Sequence, residues 1–329
     1  MNIATTLLVG AFVFGSPAPS TPRAGPQEAQ NQTVIVVVGA PGAPEYAAQF
    51  AEWAGLWREA CARGGARFIA VGLKEEQEPS DRLRLQKALS DESGQTATAL
   101  WLVLIGHGTF DGRTAKFNLR GPDVSADELA EWLKPTVRPV AVINMASSSA
   151  PFLKKLSGPG RVVVTATKSG FEHNYARFGQ YIAQAIIEPG ADLDKDGQTS
   201  LLEAFLTASA RVEEFYSAAG RLATEHALLD DNGDTLGTPA DWFRGIRPVR
   251  RAADDASLDG YRAHQLHILS SDAEAAMTPE LRARRDSLEL EVMRLRETKE
   301  TLSEEEYYGR LESLLRQIAE IYRRSETPE

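Results

Sequence analysis

The chain has 329 residues, 43% hydrophobic and 25% charged, with a formal net charge of -10. That composition is an ordinary globular one with enough apolar mass for a sizeable core, and the acidity disfavours a nucleic-acid surface, so DNA and RNA are discounted as partners. A single cysteine, Cys61, excludes an internal disulfide and any multi-cysteine metal site.

The first segment carries an apolar run from Ile3 to Phe14, too short to span a bilayer comfortably, followed by small residues from Ser16 to Ala24. It reads as a signal peptide over residues 1–24, which implies a secreted or periplasmic protein with no membrane span once the signal is removed. Residues 25–32, rich in Pro and Gln, read as a linker.

From Thr33 to Thr167, five apolar runs alternate with helical patterns: Thr33 to Gly39, Ala66 to Gly72, Ala99 to Gly106, Arg138 to Asn144 and Arg161 to Thr167. Nearly continuous Val, Ile and Leu without polar alternation implies strands buried on both faces, as in a parallel sheet wrapped by crossover helices. The fold class is therefore α/β, a doubly wound and mostly parallel sheet, assigned to residues 33–250. Cys61 falls in a stretch of helical periodicity and reads as a packing residue.

In such sheets ligands bind beyond the carboxyl ends of the strands. The third run leads into His107 and Gly108, and the fourth into Ser147, Ser148 and Ser149. The first run ends in Gly39 and Gly42 with neither a dinucleotide fingerprint nor a phosphate loop, and the serines lack a G-x-S-x-G elbow. Between the two tips, residues around Lys116 to Asp123 read as a small extension or hairpin, then a helix capped near Ser125.

The paired motifs, His-Gly after one strand and "NMASSSAPF" after the next, resemble those of the caspase and legumain-like cysteine-peptidase superfamily. In that superfamily the second motif is of the type Asp/Glu-Ala-Cys-x-Ser-Gly. The resemblance spans roughly Thr33 to Asp241 and places Ala146 at its Ala, Ser147 at its catalytic Cys, Ser149 at its Ser and Ala150 at its Gly. It implies that His107 is the acid-base residue and that the amides of Gly108 and Ser147 are oxyanion donors. A thiol is intrinsically nucleophilic, whereas a serine hydroxyl requires a well-placed base. Two functional readings follow: a non-catalytic peptidase homologue that binds a protein or peptide ligand or serves assembly, and a peptide-bond hydrolase using Ser147 with His107 as base. Without the resemblance, His107 is a polar strand-end residue and the serines a turn or helix cap.

The stretch "DLDKDGQTSLLE" matches a twelve-residue EF-hand loop. Asp192, Asp194 and Asp196 stand at positions one, three and five, Gly197 at six, Gln198 at seven, Ser200 at nine and Glu203 at twelve. The oxygen donors point to Ca2+, and Pro189 displaces the regular incoming helix, which suggests a structural site over 192–203. The acidic segment Asp230 to Asp234 reads as an Asp-Asn-Gly turn with an incomplete ligand set, and resembles an acidic segment of some bacterial legumain-like domains. His264 and His267 read as solvated helix residues.

The remainder, 251–329, is a helical region. Thr278 with Pro279 starts one helix, and Ser303 with Glu306 starts a second. Leu281, Leu288, Val292 and Leu295 are expected to face Leu311, Leu314, Leu315, Ile318 and Tyr322 across a helical hairpin that packs on itself or on the main domain, or serves as an oligomerising arm.

Overall fold

The computed structural model describes residues 32–74, 78–94, 98–254 and 256–326. The signal peptide expected over 1–24 and nearly all of the linker lie outside the described residues. Among the described residues, no helix is long and apolar enough to cross a membrane.

The first half alternates strand and helix: β1 (Thr33–Val38), α1 (Pro44–Gly64), β2 (Arg67–Val71), α2 (Asp81–Asp91) and β3 (Leu100–Ile105). A small three-stranded sheet follows, formed by β4 (Gly108–Phe110), β5 (Ala115–Phe117) and β6 (Val124–Ser125). Then come α3 (Ala126–Leu133), β7 (Val140–Asn144), α4 (Ala150–Leu156), β8 (Arg161–Thr165), α5 (Phe178–Ala185) and α6 (Leu201–Ala218). β9 (Leu228–Asp230) and β10 (Thr238–Pro239) complete the main sheet, and β11 (Phe243–Arg244) pairs with β12 (Arg247–Pro248). The chain ends in α7 (Tyr261–His264), α8 (Asp272–Ala275), α9 (Pro279–Glu297) and α10 (Glu304–Glu326).

The main sheet has the order β10-β9-β8-β7-β3-β1-β2. β2, β1, β3, β7 and β8 run parallel, and β9 pairs antiparallel to β8. Apolar residues on one face of the strands meet α1, α5 and α6, where Phe50, Trp57, Phe178 and Phe205 are fully buried. The opposite face meets α2, α3 and α4 through Leu85, Leu89, Leu129 and Phe152. Two cores flanking one sheet explain why β1, β3 and β7 carry no polar alternation: both sides of each strand are dry. β2 departs from that expectation, since it is the edge strand and leaves Arg67 and Ala70 exposed.

Local signals fix several boundaries. Ser125 caps α3 through its hydroxyl and receives the Glu128 carboxylate on its own amide, a complete capping box. Ser200 and Glu203 do the same for α6. In the C-terminal hairpin, Leu288 and Ile321 are buried against Met277, Leu281, Leu314 and Ile318. Leu315 and Tyr322, expected in that seam, are instead 47% and 38% exposed. Ile321 takes the inward position, one residue off the anticipated stripe.

Candidate functional site at the strand tips

β3 and β7 are hydrogen-bonded neighbours in register Leu104↔Asn144, so the segments that leave their carboxyl ends begin side by side. At Gly108 the two segments come into contact. A β-carbon at Gly108 would stand 2.3 Å from the Ser147 carbonyl oxygen, so only glycine permits this approach.

His107 does not address Ser147. Its ring lies among the aromatic side chains of Tyr46, Phe50 and Tyr175, with centroids at 4.9, 5.2 and 6.2 Å. Its Nε2 is 3.0 Å from the Pro41 carbonyl oxygen, which can only accept, so Nε2 carries the proton. Ser147 is 5% exposed, and its hydroxyl donates to the Gly108 carbonyl at 3.2 Å. The Gly108 amide faces the same hydroxyl at 3.5 Å. Imidazole and hydroxyl thus share one corner of the sheet, but each has a backbone carbonyl for a partner and, among the described residues, no hydrogen bond joins them.

The neighbouring serines are engaged elsewhere. Ser148 has a positive φ of 54°, rare for a residue with a side chain, and its hydroxyl meets His173 Nδ1 at 3.0 Å. The Ser148 amide donates to the Glu172 carbonyl at 2.9 Å, while the Glu172 carboxylate accepts from the Lys168 amide and meets His226 Nδ1 at 2.6 Å. Ser149 is fully buried, and its hydroxyl and that of Thr167 are 3.1 Å apart. The expected serine cap of α4 is supplied by Thr167, whose Oγ1 accepts from the amides of both Ser149 and Ala150. Sequence reasoning missed His173, Glu172, His226 and Thr167. No spacing rule ties them to the serines, because the loop after β8 must fold back first. Beside this network Phe171 is 68% exposed and meets Phe110 edge-on at 5.3 Å.

In the 192–203 loop, Asp192, Asp194 and Asp196 offer carboxylate oxygens that all lie within 4.8 Å of one another. Those carboxylates also shape the turn: Asp192 accepts from the amides of Lys195 and Gly197, Asp194 from Asp196, and Asp196 from Gln198. Lys195 and Gly197 have φ of 65° and 90°, the tight bend that glycine eases at position six. Glu203 is 1% exposed and groups with Asp194 and His264 rather than with all three aspartates. Its two oxygens accept from Leu193 and from Ser200. The Ser200 hydroxyl is committed to the α6 cap, and the Gln198 side chain bridges Asp196 and the Ser271 amide. An oxygen-rich donor set on such a turn fits a hard cation.

His264 ends α7 and stays partly exposed, whereas His267 is not the solvated helix residue expected. His264 Nε2 reaches Asp194 at 3.0 Å, and His267 is buried with Nε2 3.6 Å from Glu274. The segment Asp230 to Asp234 forms a turn, closed by the Gly233 amide donating to Asp230. Two buried carboxylates anchor it: Asp259 accepts from the Asp231 and Asn232 amides, and Asp231 accepts from Gly260 and Ala263. Cys61 is buried in the α1 core, and burial pushes its thiol up to about 12, which leaves it inert.

No family model matches the sequence, and no curated protein matches it. Among solved structures, the chain is similar to the crystal structure of the Drosophila initiator caspase Dronc, at 15% identity, covering 62% of this chain and 80% of that one with a TM-score of 0.40. It is also similar to caspase-1 from Spodoptera frugiperda, at 10% identity, covering 62% and 87% with a TM-score of 0.39. What the cleft can do depends on the chain's own side chains.

Proposed function

We propose that this caspase-like domain is a calcium-binding, secreted or periplasmic protein that binds a protein or peptide ligand at the strand tips and does not hydrolyse it through Ser147. One observation carries the reading: the Ser147 hydroxyl is buried and donates to the Gly108 carbonyl, while the protonated Nε2 of His107 is spent on the Pro41 carbonyl. A serine nucleophile needs a base in hydrogen-bond reach, and here the nearest acceptor is an amide oxygen. The exposed Phe171 with Phe110 supplies an apolar wall for a ligand side chain.

Calcium would be held by Asp192, Asp194 and Asp196, with the Gln198 carbonyl as a further oxygen and Glu203 reaching the ion from beside Asp194. Its role on this reading is to fix the segment ahead of α6.

Peptide-display selection on the immobilised full chain tests the ligand. Captured peptides recovered at intact mass, with capture weakened by Phe171→Asp, are the expected result. Recovery of cleaved peptides, or no enrichment at all, contradicts it.

A further inference from the structure

At the opposite end of the sheet, beneath the amino ends of the strands, lies a cavity of about 400 Å³, in the range of small-molecule sites. Its floor is the chain entering β3, β7 and β8, where Ala99, Pro139 and Val162 present apolar surface. Its other wall comes from α7, α9 and the segment between them, and carries Arg262, Arg282, Arg294 and His267 together with one carboxylate, Asp286, which is paired with Arg285.

The charges around this cavity do not cancel. Arg285 is satisfied by Glu274 and Asp286, and Arg282 by Glu274. Arg262 is half-buried and Arg294 exposed, and among the described residues neither has a carboxylate at ion-pair distance. His267 is 5% exposed, and its Nδ1 is buried with no hydrogen-bond partner. Guanidinium groups without a counter-charge beside an apolar surface favour an anion. The sheet side of this space is largely apolar, and the two guanidinium groups without an ion pair stand on the helix side.

We infer that this cavity binds a small amphiphilic carboxylate, its chain over Pro139 and Val162 and its carboxylate against Arg262 and Arg294. Arg282 is held by Glu274 and shapes the wall. The site shares no residue with the strand-tip cleft or the 192–203 loop, so it stands independently of the function proposed above.

Decanoate is a suitable probe, measured by isothermal titration on the full chain, with decanol and decyltrimethylammonium as uncharged and cationic controls. Saturable one-to-one binding of decanoate is expected, with neither control competing. Arg262→Gln and Arg294→Gln should each weaken it roughly tenfold to a hundredfold, the range for a lost charge-assisted hydrogen bond. Among the described residues neither side chain takes part in an ion pair, so these variants should keep the native melting curve. Ala283→Trp, which fills the space, should abolish binding. Absence of decanoate binding to the folded wild type overturns the inference, as does binding that decyltrimethylammonium matches and the arginine variants leave unchanged.

Discussion

Gly108 sets how closely the two strand tips approach. Because a methyl group there would meet the Ser147 carbonyl at 2.3 Å, Gly108→Ala must push backbone against backbone, and we expect a loss on the order of 1–3 kcal/mol in denaturant-unfolding stability. Gly55→Ala in α1, where nothing lies within 4 Å, is the matched control and should be neutral or stabilising by up to about 1 kcal/mol. A second residue-scale consequence concerns Asp259. Burial, reinforced by the neighbouring Asp231, raises its carboxyl well above the usual range, so the folded state holds a proton that the unfolded state releases. Stability from this group is fully present below the ordinary aspartate range and is lost as pH rises through the raised value. Asp259→Asn keeps an acceptor for the Asp231 and Asn232 amides, with the Thr238 hydroxyl, which donates to Asp259 in the native chain, turning to accept, and should flatten the decline in unfolding free energy between about pH 4 and pH 8. An unchanged pH profile would remove Asp259 as its source.

At the scale of elements, the two capping boxes and the acidic loop each have a separable contribution. Ser125→Ala removes an oxygen that accepts from the Glu128 amide and should cost about 1 kcal/mol of stability, read from a shift in the denaturation midpoint at constant slope. The 192–203 loop should raise the melting temperature when calcium is added, by mass action on the folded state, and Asp192→Ala should abolish that rise. A melting temperature indifferent to both calcium and chelator contradicts the assignment. Element by element, legibility in the sequence followed burial. β1, β3, β7 and β8 were visible as apolar runs because each is covered on both faces, and α3 was visible from Ser125 and Glu128. β9 and β10 were not, since Leu228–Asp230 and Thr238–Pro239 are too short to show a period and belong to the sheet only through β8. The contact of His264 with Asp194 joins positions 70 residues apart and leaves no local pattern.

For the whole molecule, one sheet offers two ends with different chemistry. The carboxyl ends gather His107, the three serines and His173, and the amino ends face the arginine-lined cavity formed with α9. That the two motif-bearing strands are neighbours could be anticipated from their order, whereas the direction in which His107 points could not. Its ring is drawn toward Tyr46 and Phe50 by the way α1 packs across the sheet, a tertiary choice that no pair of motifs encodes. The central claim is that this arrangement binds without cleaving through Ser147. Mass-spectrometric analysis of a diverse peptide library after incubation with the purified chain, with Ser147→Ala and His107→Ala in parallel, tests it most directly. The account predicts that all three proteins leave the same intact peptides; cleavage by the wild type that disappears in both variants would contradict it.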